Sequence, residues 1–235
     1  MSAPLGSAQT YAASAAEAAR ISAFLQRVYG WMFVGLGVTA VVAYAVATSP
    51  AVVQTLAANR LLFWVVLLAP IGCVWYLGAR VDRLAPNTAA LLFTVYAALN
   101  GVAFSFVLLA YTGASIAGTF LTASAMFGAL ALYGTITRRS LAGLGQFAVM
   151  GLVGVVIASI VGIFWQNDMF QFVLSVCGVI VFTALTAWDA QRLKAMALAL
   201  PDGRTGSYAV VGALSLYLDF INLFLFLLRL FGRRR

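Results

Sequence analysis

The sequence predicts an all-α membrane protein, a bundle of seven transmembrane helices with the last, at about 208–230, in its centre. Three observations predict it. Of 235 residues, 64% are hydrophobic and only 9% charged, where a soluble domain carries about 25% charged residues. Seven apolar runs follow one another, each near the roughly 20 residues that a bilayer core requires. The last run alone carries a continuous stripe of small and polar residues, a pattern that turns a membrane helix toward protein rather than lipid.

The runs lie at about 29–48, 61–79, 88–110, 115–136, 144–165, 170–190 and 208–230. They are separated at Ser49-Pro50, Ala85-Pro86-Asn87, Thr112-Gly113, Arg138-Arg139, Gln166-Asn167-Asp168 and Pro201-Asp202-Gly203. Each break joins turn-forming or helix-stopping residues to polarity or charge. The loops are too short for soluble domains, so function is expected inside the bundle. Residues 1–27 are Ala- and Ser-rich and are expected to form a cytoplasmic N-terminal tail, its end an interfacial helix or a frayed segment. Residues 28–235 then form a single seven-helix transmembrane domain. The first apolar run starts near Trp31, too late for a cleaved signal peptide.

The net charge of +8 would suggest nucleic acid in a soluble chain. Here the basic residues sit in short loops and at the C-terminus, where they meet lipid headgroups, and no nucleic-acid partner is expected. Arg20, Arg27, Arg80, Arg83, Arg138, Arg139, Arg192, Lys194 and Arg204 fall on one side of the membrane, and from the first six runs only Arg60 falls on the other. That bias places the N-terminus in the cytoplasm. Arg233, Arg234 and Arg235 then end up outside, against the same rule, unless the seventh helix re-enters. Its length favours spanning.

The absence of histidine excludes Ser-His and Cys-His catalysis and His-ligated metal or haem. Cys73 and Cys177 lie in apolar runs without metal-ligand or disulfide spacing and read as small buried hydrophobes. Glycines within the runs read as close helix contacts. Trp31, Tyr111, Tyr133, Trp165, Trp188 and Tyr208 read as interface anchors.

The chemistry rests on carboxylates. Glu17, Asp82, Asp168 and Asp202 fall in the tail or in loops, which leaves Asp189 and Asp219 within apolar helices. Asp219 stands about 16 Å along its helix from Tyr208, on a face that reads Tyr208, Gly212, Ser215, Asp219, Asn222, Phe226, Arg229. A carboxylate at that depth costs several kcal/mol unless it is paired, protonated or next to water. Asp189 ends the sixth run, with Thr183 and Thr186 behind it. It reads either as half of a functional pair or as an interfacial carboxylate beside Arg192 or Lys194. Two carboxyls on consecutive helices cannot easily both ionise in a low dielectric, and they titrate as a unit. Such a pair can relay protons, latch a conformation with pH, or hold a passing hard cation such as Ca²⁺ transiently through oxygen. Ser215, Asn222 and Thr186 are the polar neighbours that would line a path past it. Arg80, ending the second run, reads either as a third partner of the pair or as an arginine snorkelling to the surface.

Several stretches resemble the Bax inhibitor (transmembrane Bax-inhibitor-motif) family in its prokaryotic branch. They are Leu99-Asn100-Gly101, Thr119-Phe120, Tyr133-Gly134-Thr135-Ile136-Thr137-Arg138, the run from Val179 to Lys194 containing Phe182-Thr183-Ala184-Leu185-Thr186-Ala187-Trp188-Asp189, and Ala213 to Phe224 around Leu216-Tyr217-Leu218-Asp219-Phe220-Ile221-Asn222. The likeness covers nearly everything from about residue 20. It implies a seven-helix protein of the cell (inner) membrane and a calcium leak controlled by pH through a two-aspartate sensor, Asp189 and Asp219, with Arg80 as the latch. It also implies no cofactor beyond Ca²⁺ as the permeating ion, with protons and the bilayer as the other partners. Two departures stand out: Trp188 where the family often has Tyr, and Arg139-Ser140 where an Asp often follows the basic residue.

Paired aspartates also mark presenilin-like intramembrane proteases. Those carry Gly-x-Gly-Asp and a later Pro-Ala-Leu, whereas Asp219 follows Leu216-Tyr217-Leu218 and no Pro-Ala-Leu comes after it, so no enzyme is expected. A retinal protein needs a mid-helix lysine, and Lys194, the one lysine, lies in a loop. The remaining alternative, again from the resemblance, is a non-channel modulator of a membrane-anchored AAA protease, a role that would tolerate Asp219→Asn.

Overall fold

The breaks read from the sequence become helix ends wherever a proline or a capping side chain enforces them. A computed structural model describes residues 5–165, 167–201 and 204–235; Gln166, Asp202 and Gly203, assigned above to turns, lie outside the described residues. The helices are α1 (Leu5–Ala47), α2 (Pro50–Ala58), α3 (Arg60–Arg80), α4 (Pro86–Ala110), α5 (Gly113–Ile136), α6 (Ala142–Phe164), α7 (Asp168–Ala199) and α8 (Thr205–Phe231), with a 3₁₀ turn at Val81–Arg83. Pro50 and Pro86 open α2 and α4, where a missing N–H and a fixed φ suit a first turn. Asn59, Thr112 and Asn167 cap α3, α5 and α7, each side chain accepting from a backbone N–H three residues on, which satisfies a donor that the helix itself leaves free.

Seven of these helices are long and apolar enough to cross a membrane, namely all but α2. The protein is therefore an all-α seven-helix membrane protein. Two features depart from the sequence reading. The break expected near residue 27 does not exist. Helix α1 runs through it, because Ala-rich sequence is poor in hydropathy but the best of helix formers, and Phe24, Leu25 and Val28 are already buried against the bundle. Between the first two spans the chain also inserts the short helix α2.

Helix α8 is the axis. Of its apolar stretch 72% is buried, against 39% for α7 and 12% to 28% for the other spans. It touches α1, α3, α4, α5 and α7, while α6 packs on the outside of α7. Glycine sets two of these approaches. A Cβ on Gly134 of α5 would overlap the Ala187 carbonyl of α7, and one on Gly212 of α8 would lie 2.5 Å from Leu193. Gly37, Gly128 and Gly154, also expected in close contacts, face open space instead.

Polar contacts sort the turns into two ends. At one end the Arg20 guanidinium donates to the Leu200 carbonyl (3.0 Å) and Arg27 to the Thr205 hydroxyl (3.2 Å). There too Asp82 pairs with Arg204 at 3.5 Å and accepts from the Tyr208 hydroxyl, and Ser207 donates to the Leu84 carbonyl. The α5–α6 turn joins them through Gln191 and Lys194, which donate to the carbonyls of Arg139 and Thr135. The basic loop residues thus gather at one end. Helix α8 leaves that end at Thr205 and finishes at the other. There Arg233 to Arg235 lie antiparallel beside Tyr111, with Thr112 N–H donating to the Arg233 carbonyl (3.1 Å) and Arg235 N–H to that of Ala110 (3.0 Å). Helix α8 thus runs the length of the bundle from the basic end to the other, and is long and apolar enough to span.

Candidate functional site in the α7–α8 seam

The stripe read on α8 faces α7 over its whole length. Gly212 meets Leu193, Phe226 seats on Gly178 with its ring 2.6 Å from where a Cβ would stand, and Arg229 donates to the Gln171 side-chain carbonyl at 3.3 Å. The Phe182 and Phe226 rings stack at 5.9 Å. Because the helices are antiparallel, this stack fixes the register. Asp189 lies seven residues beyond Phe182 toward the basic end, and Asp219 lies seven residues before Phe226, also toward the basic end. Seven residues are close to two helical turns, about 10 Å, so both carboxyls return to the seam at one level. They are near enough to interact electrostatically.

Both aspartates are buried, Asp189 at 9% and Asp219 at 4% exposure. One oxygen of Asp219, Oδ2, is sealed from solvent and has no hydrogen-bond partner. Neither Thr186 across on α7 nor Asn222 on the stripe supplies one. The Thr186 hydroxyl donates to the Phe182 carbonyl (2.7 Å) and the Asn222 amide to the Leu218 carbonyl (2.8 Å), each within its own helix. Asp189 faces a small cavity of about 50 Å³, lined also by Arg192, Tyr208, Gly212 and Ser215, on the basic side of the pair. Ser215, Thr186 and Asn222 thus share the seam with the pair, and Ser215 lines the cavity.

Arg80 is elsewhere. It is exposed at the end of α3, its guanidinium 5.8 Å from the Tyr76 ring, the surface arginine that snorkelling describes. The cation facing Asp189 is Arg192, three residues on along the same helix face, whose charge acts on the carboxyl while its guanidinium also lies 5.4 Å from the Trp188 ring. Lys194 is turned away onto α5. The Trp188 ring itself packs on Gly145, in the first turn of α6.

On the far side of the phenylalanine stack the seam opens again, into a cavity of about 540 Å³ lined by Gln171, Ser175, Asn167, Asp168, Arg229 and Arg234 among others. The seam therefore reads, from the basic end outward, as small mixed cavity, carboxyl pair, aromatic stack, large polar cavity. Two carboxyls offer fewer oxygens than the six to eight of a resident Ca²⁺ site, and no cluster of three or more metal-ligating side chains occurs among the described residues. The arrangement suits a passing cation or a shared proton. Sequence reasoning missed Phe182 and Phe226, although counting seven residues from each aspartate would have found them.

Comparison with known proteins agrees with this reading of the fold. The family described as "Inhibitor of apoptosis-promoting Bax1" matches residues 21–235. The chain is 43% identical over 220 residues to the inner membrane protein YbhL of Escherichia coli K12, covering 92% of this chain and 94% of that protein. It is 39% identical over 214 residues to an uncharacterized protein of Borreliella burgdorferi, with 90% and 92% covered. It is 34% identical over 216 residues to an uncharacterized membrane protein of Streptococcus pyogenes serotype M3, with 91% and 93% covered. With a family match across nearly its whole length and relatives at this identity, the chain belongs to the family of inhibitors of apoptosis-promoting Bax1.

Proposed function

We propose that the protein is a pH-sensitive calcium leak of the inner membrane, its N-terminus cytoplasmic, gated by a proton shared between Asp189 and Asp219. The observation that supports it best is the sealed, unpartnered Asp219 oxygen held at the level of a second buried carboxyl. A buried polar atom without a partner costs about 1–3 kcal/mol, and a fold that only needed packing would place an apolar side chain there. One proton between the two carboxyls keeps a single negative charge, which Arg192 faces. Losing it leaves two like charges in a low dielectric, which loosens the seam and presents oxygen ligands to Ca²⁺. Arg80, at the surface in this conformation, has no part in that closed arrangement. The location follows the inner-membrane relative, and the orientation follows the clustering of basic turns at one end. No catalytic chemistry and no resident cofactor is proposed.

Ca²⁺ entry into proteoliposomes between pH 5 and 8, with Asp189→Asn and Asp219→Asn beside the unaltered protein, tests the reading. A pH-dependent leak that either substitution flattens is expected. Absence of Ca²⁺ flux at every pH sinks the leak and leaves the modulator of a membrane-anchored protease as the reading to pursue.

A further inference from the structure

Two cavities of the α7–α8 seam lie on opposite sides of one obstruction, a large polar one outside and a small one inside where Leu193, Met196 and Val211 surround Asp189, Arg192 and Ser215. The outer one reaches inward along Gln171 and Ser175 of α7 and Arg229 of α8. The inner one reaches outward from Arg192 and Tyr208 to Asp189 and Ser215. Between the outer cavity and the carboxyl pair stand the stacked rings of Phe182 and Phe226, 5.9 Å apart. Phe226 is held on three sides: it rests on Gly178, it stacks on Phe182, and the Arg229 guanidinium lies 5.5 Å from its ring. Gly178 is what lets the ring lie flat on the α7 backbone, since a Cβ there would meet three of its atoms at 2.6 to 2.7 Å.

We propose that the Phe226 ring, backed by Phe182 and seated on Gly178, is the hydrophobic gate of the ion route along this seam, separate from the aspartate pair two turns further in. This rests on reading the seam as the route. An apolar constriction between a wet vestibule and a buried charged pair blocks ions by excluding water rather than by filling all space, and a benzyl group wedged between Gln171 and Asp219 makes such a constriction. The pair and the gate then have distinct tasks. The carboxyls set the charge that loosens α8 against α7, and the ring responds to the spacing of the two helices because it is clamped between them.

The test measures access, independent of calcium. In a background with Cys73→Ala and Cys177→Ala, single cysteines are placed at Gln171→Cys, outside the ring, and at Asn222→Cys, inside it. Ag⁺, a thiol-reactive cation, is added to the outer face of right-side-out membrane vesicles, and the thiols left unmodified are counted. With Phe226 in place, Gln171→Cys reacts and Asn222→Cys is protected. Adding Phe226→Ala makes Asn222→Cys react at a rate approaching that of Gln171→Cys, a rise of at least severalfold, while Phe226→Leu keeps the protection. Equal reactivity of the two positions with Phe226 present overturns the gate. So does unchanged protection of Asn222→Cys in the Phe226→Ala protein when Gln171→Cys still reacts normally. Should Phe226→Ala not fold, the comparison with Phe226 intact and with Phe226→Leu decides by itself. Ca²⁺ flux on the same proteins separates the two ideas: an access change without flux at any pH removes the calcium leak and leaves the gate, whereas flux indifferent to Phe226→Ala removes the gate and leaves the leak.

Discussion

Replacing Asp219 by valine should make the protein more stable while abolishing the pH response. Asp219 Oδ2 is sealed and has no hydrogen-bond partner, and the side chains of Asn222 on the stripe and Thr186 on α7 donate within their own helices. An unsatisfied buried polar atom costs about 1–3 kcal/mol, which a nearly isosteric apolar side chain removes. Valine and aspartate rank together in helix propensity, so the net gain is about 1–3 kcal/mol. For a chain of this size about 2–4 °C of Tm accompanies each kcal/mol, which puts the shift at roughly +2 to +12 °C. Thermal unfolding in detergent, followed by tryptophan fluorescence, reads it directly. A valine variant that melts below the unaltered protein would mean that the proton shared with Asp189 stabilises the carboxyl by more than its orphaned oxygen costs, which refutes the predicted gain. Natural proteins tolerate such local costs where activity requires the group.

Three further outcomes follow from the packing. Gly134→Ala drives a methyl into the Ala187 carbonyl and should lower stability by about 1–3 kcal/mol in the same melt; an unchanged Tm would show that α5 and α7 can separate freely. Deleting Arg233 to Arg235 removes three hydrogen bonds to the α4–α5 turn, each contributing about 0.5–1.5 kcal/mol, so Tm should fall by several degrees, and no fall means the tail is merely laid against the bundle. Asp82→Ala cuts Tyr208 loose from an exposed contact, so stability should change by less than about 1 kcal/mol. Modification of a Ser215→Cys thiol from the basic end should nevertheless quicken, because Tyr208 lines that cavity; an unchanged rate removes Tyr208 as its lid.

Much of this architecture was legible in the residues because membrane helices leave a simple record. The α8 stripe from Tyr208 to Arg229 identified both the central helix and the face it turns to α7, since only small and polar residues at helical spacing explain that pattern in lipid. Hydropathy was a worse guide at the N-terminus. Alanine and serine between residues 7 and 19 look like a loose tail to a hydropathy window, yet nothing in them stops a helix, and α1 runs on. The fate of Arg80 could not be read from the chain, because its reach depends on where α3 stands relative to α7, a tertiary fact. Arg192 was visible, three residues from Asp189 on one helix face, but it first read as an interfacial partner. Glycine was ambiguous throughout: Gly134 and Gly178 admit a carbonyl and a ring, Gly37 and Gly128 admit nothing, and sequence spacing alone does not distinguish the two pairs.

The central place of α8 explains why charge in the seam would matter to the whole molecule. Its other faces are filled by Tyr217, Phe220 and Phe224, which pack edge-on or stacked against Phe93, Tyr96, Phe104, Phe120 and Phe127 of α4 and α5, and the Tyr217 hydroxyl lies 2.7 Å from that of Thr39 on α1. A close-packed interior transmits displacement because it cannot compress. Its outer end is fixed as well, by the strand pairing of Arg234 with Tyr111. Repulsion between Asp189 and Asp219 would therefore drive α7 away from a helix held by α1, α4 and α5, and so widen the seam in which Phe226 sits. In the proposed leak, the position of the aspartates on the seam, and not their chemistry alone, makes a single proton sufficient to move the gate.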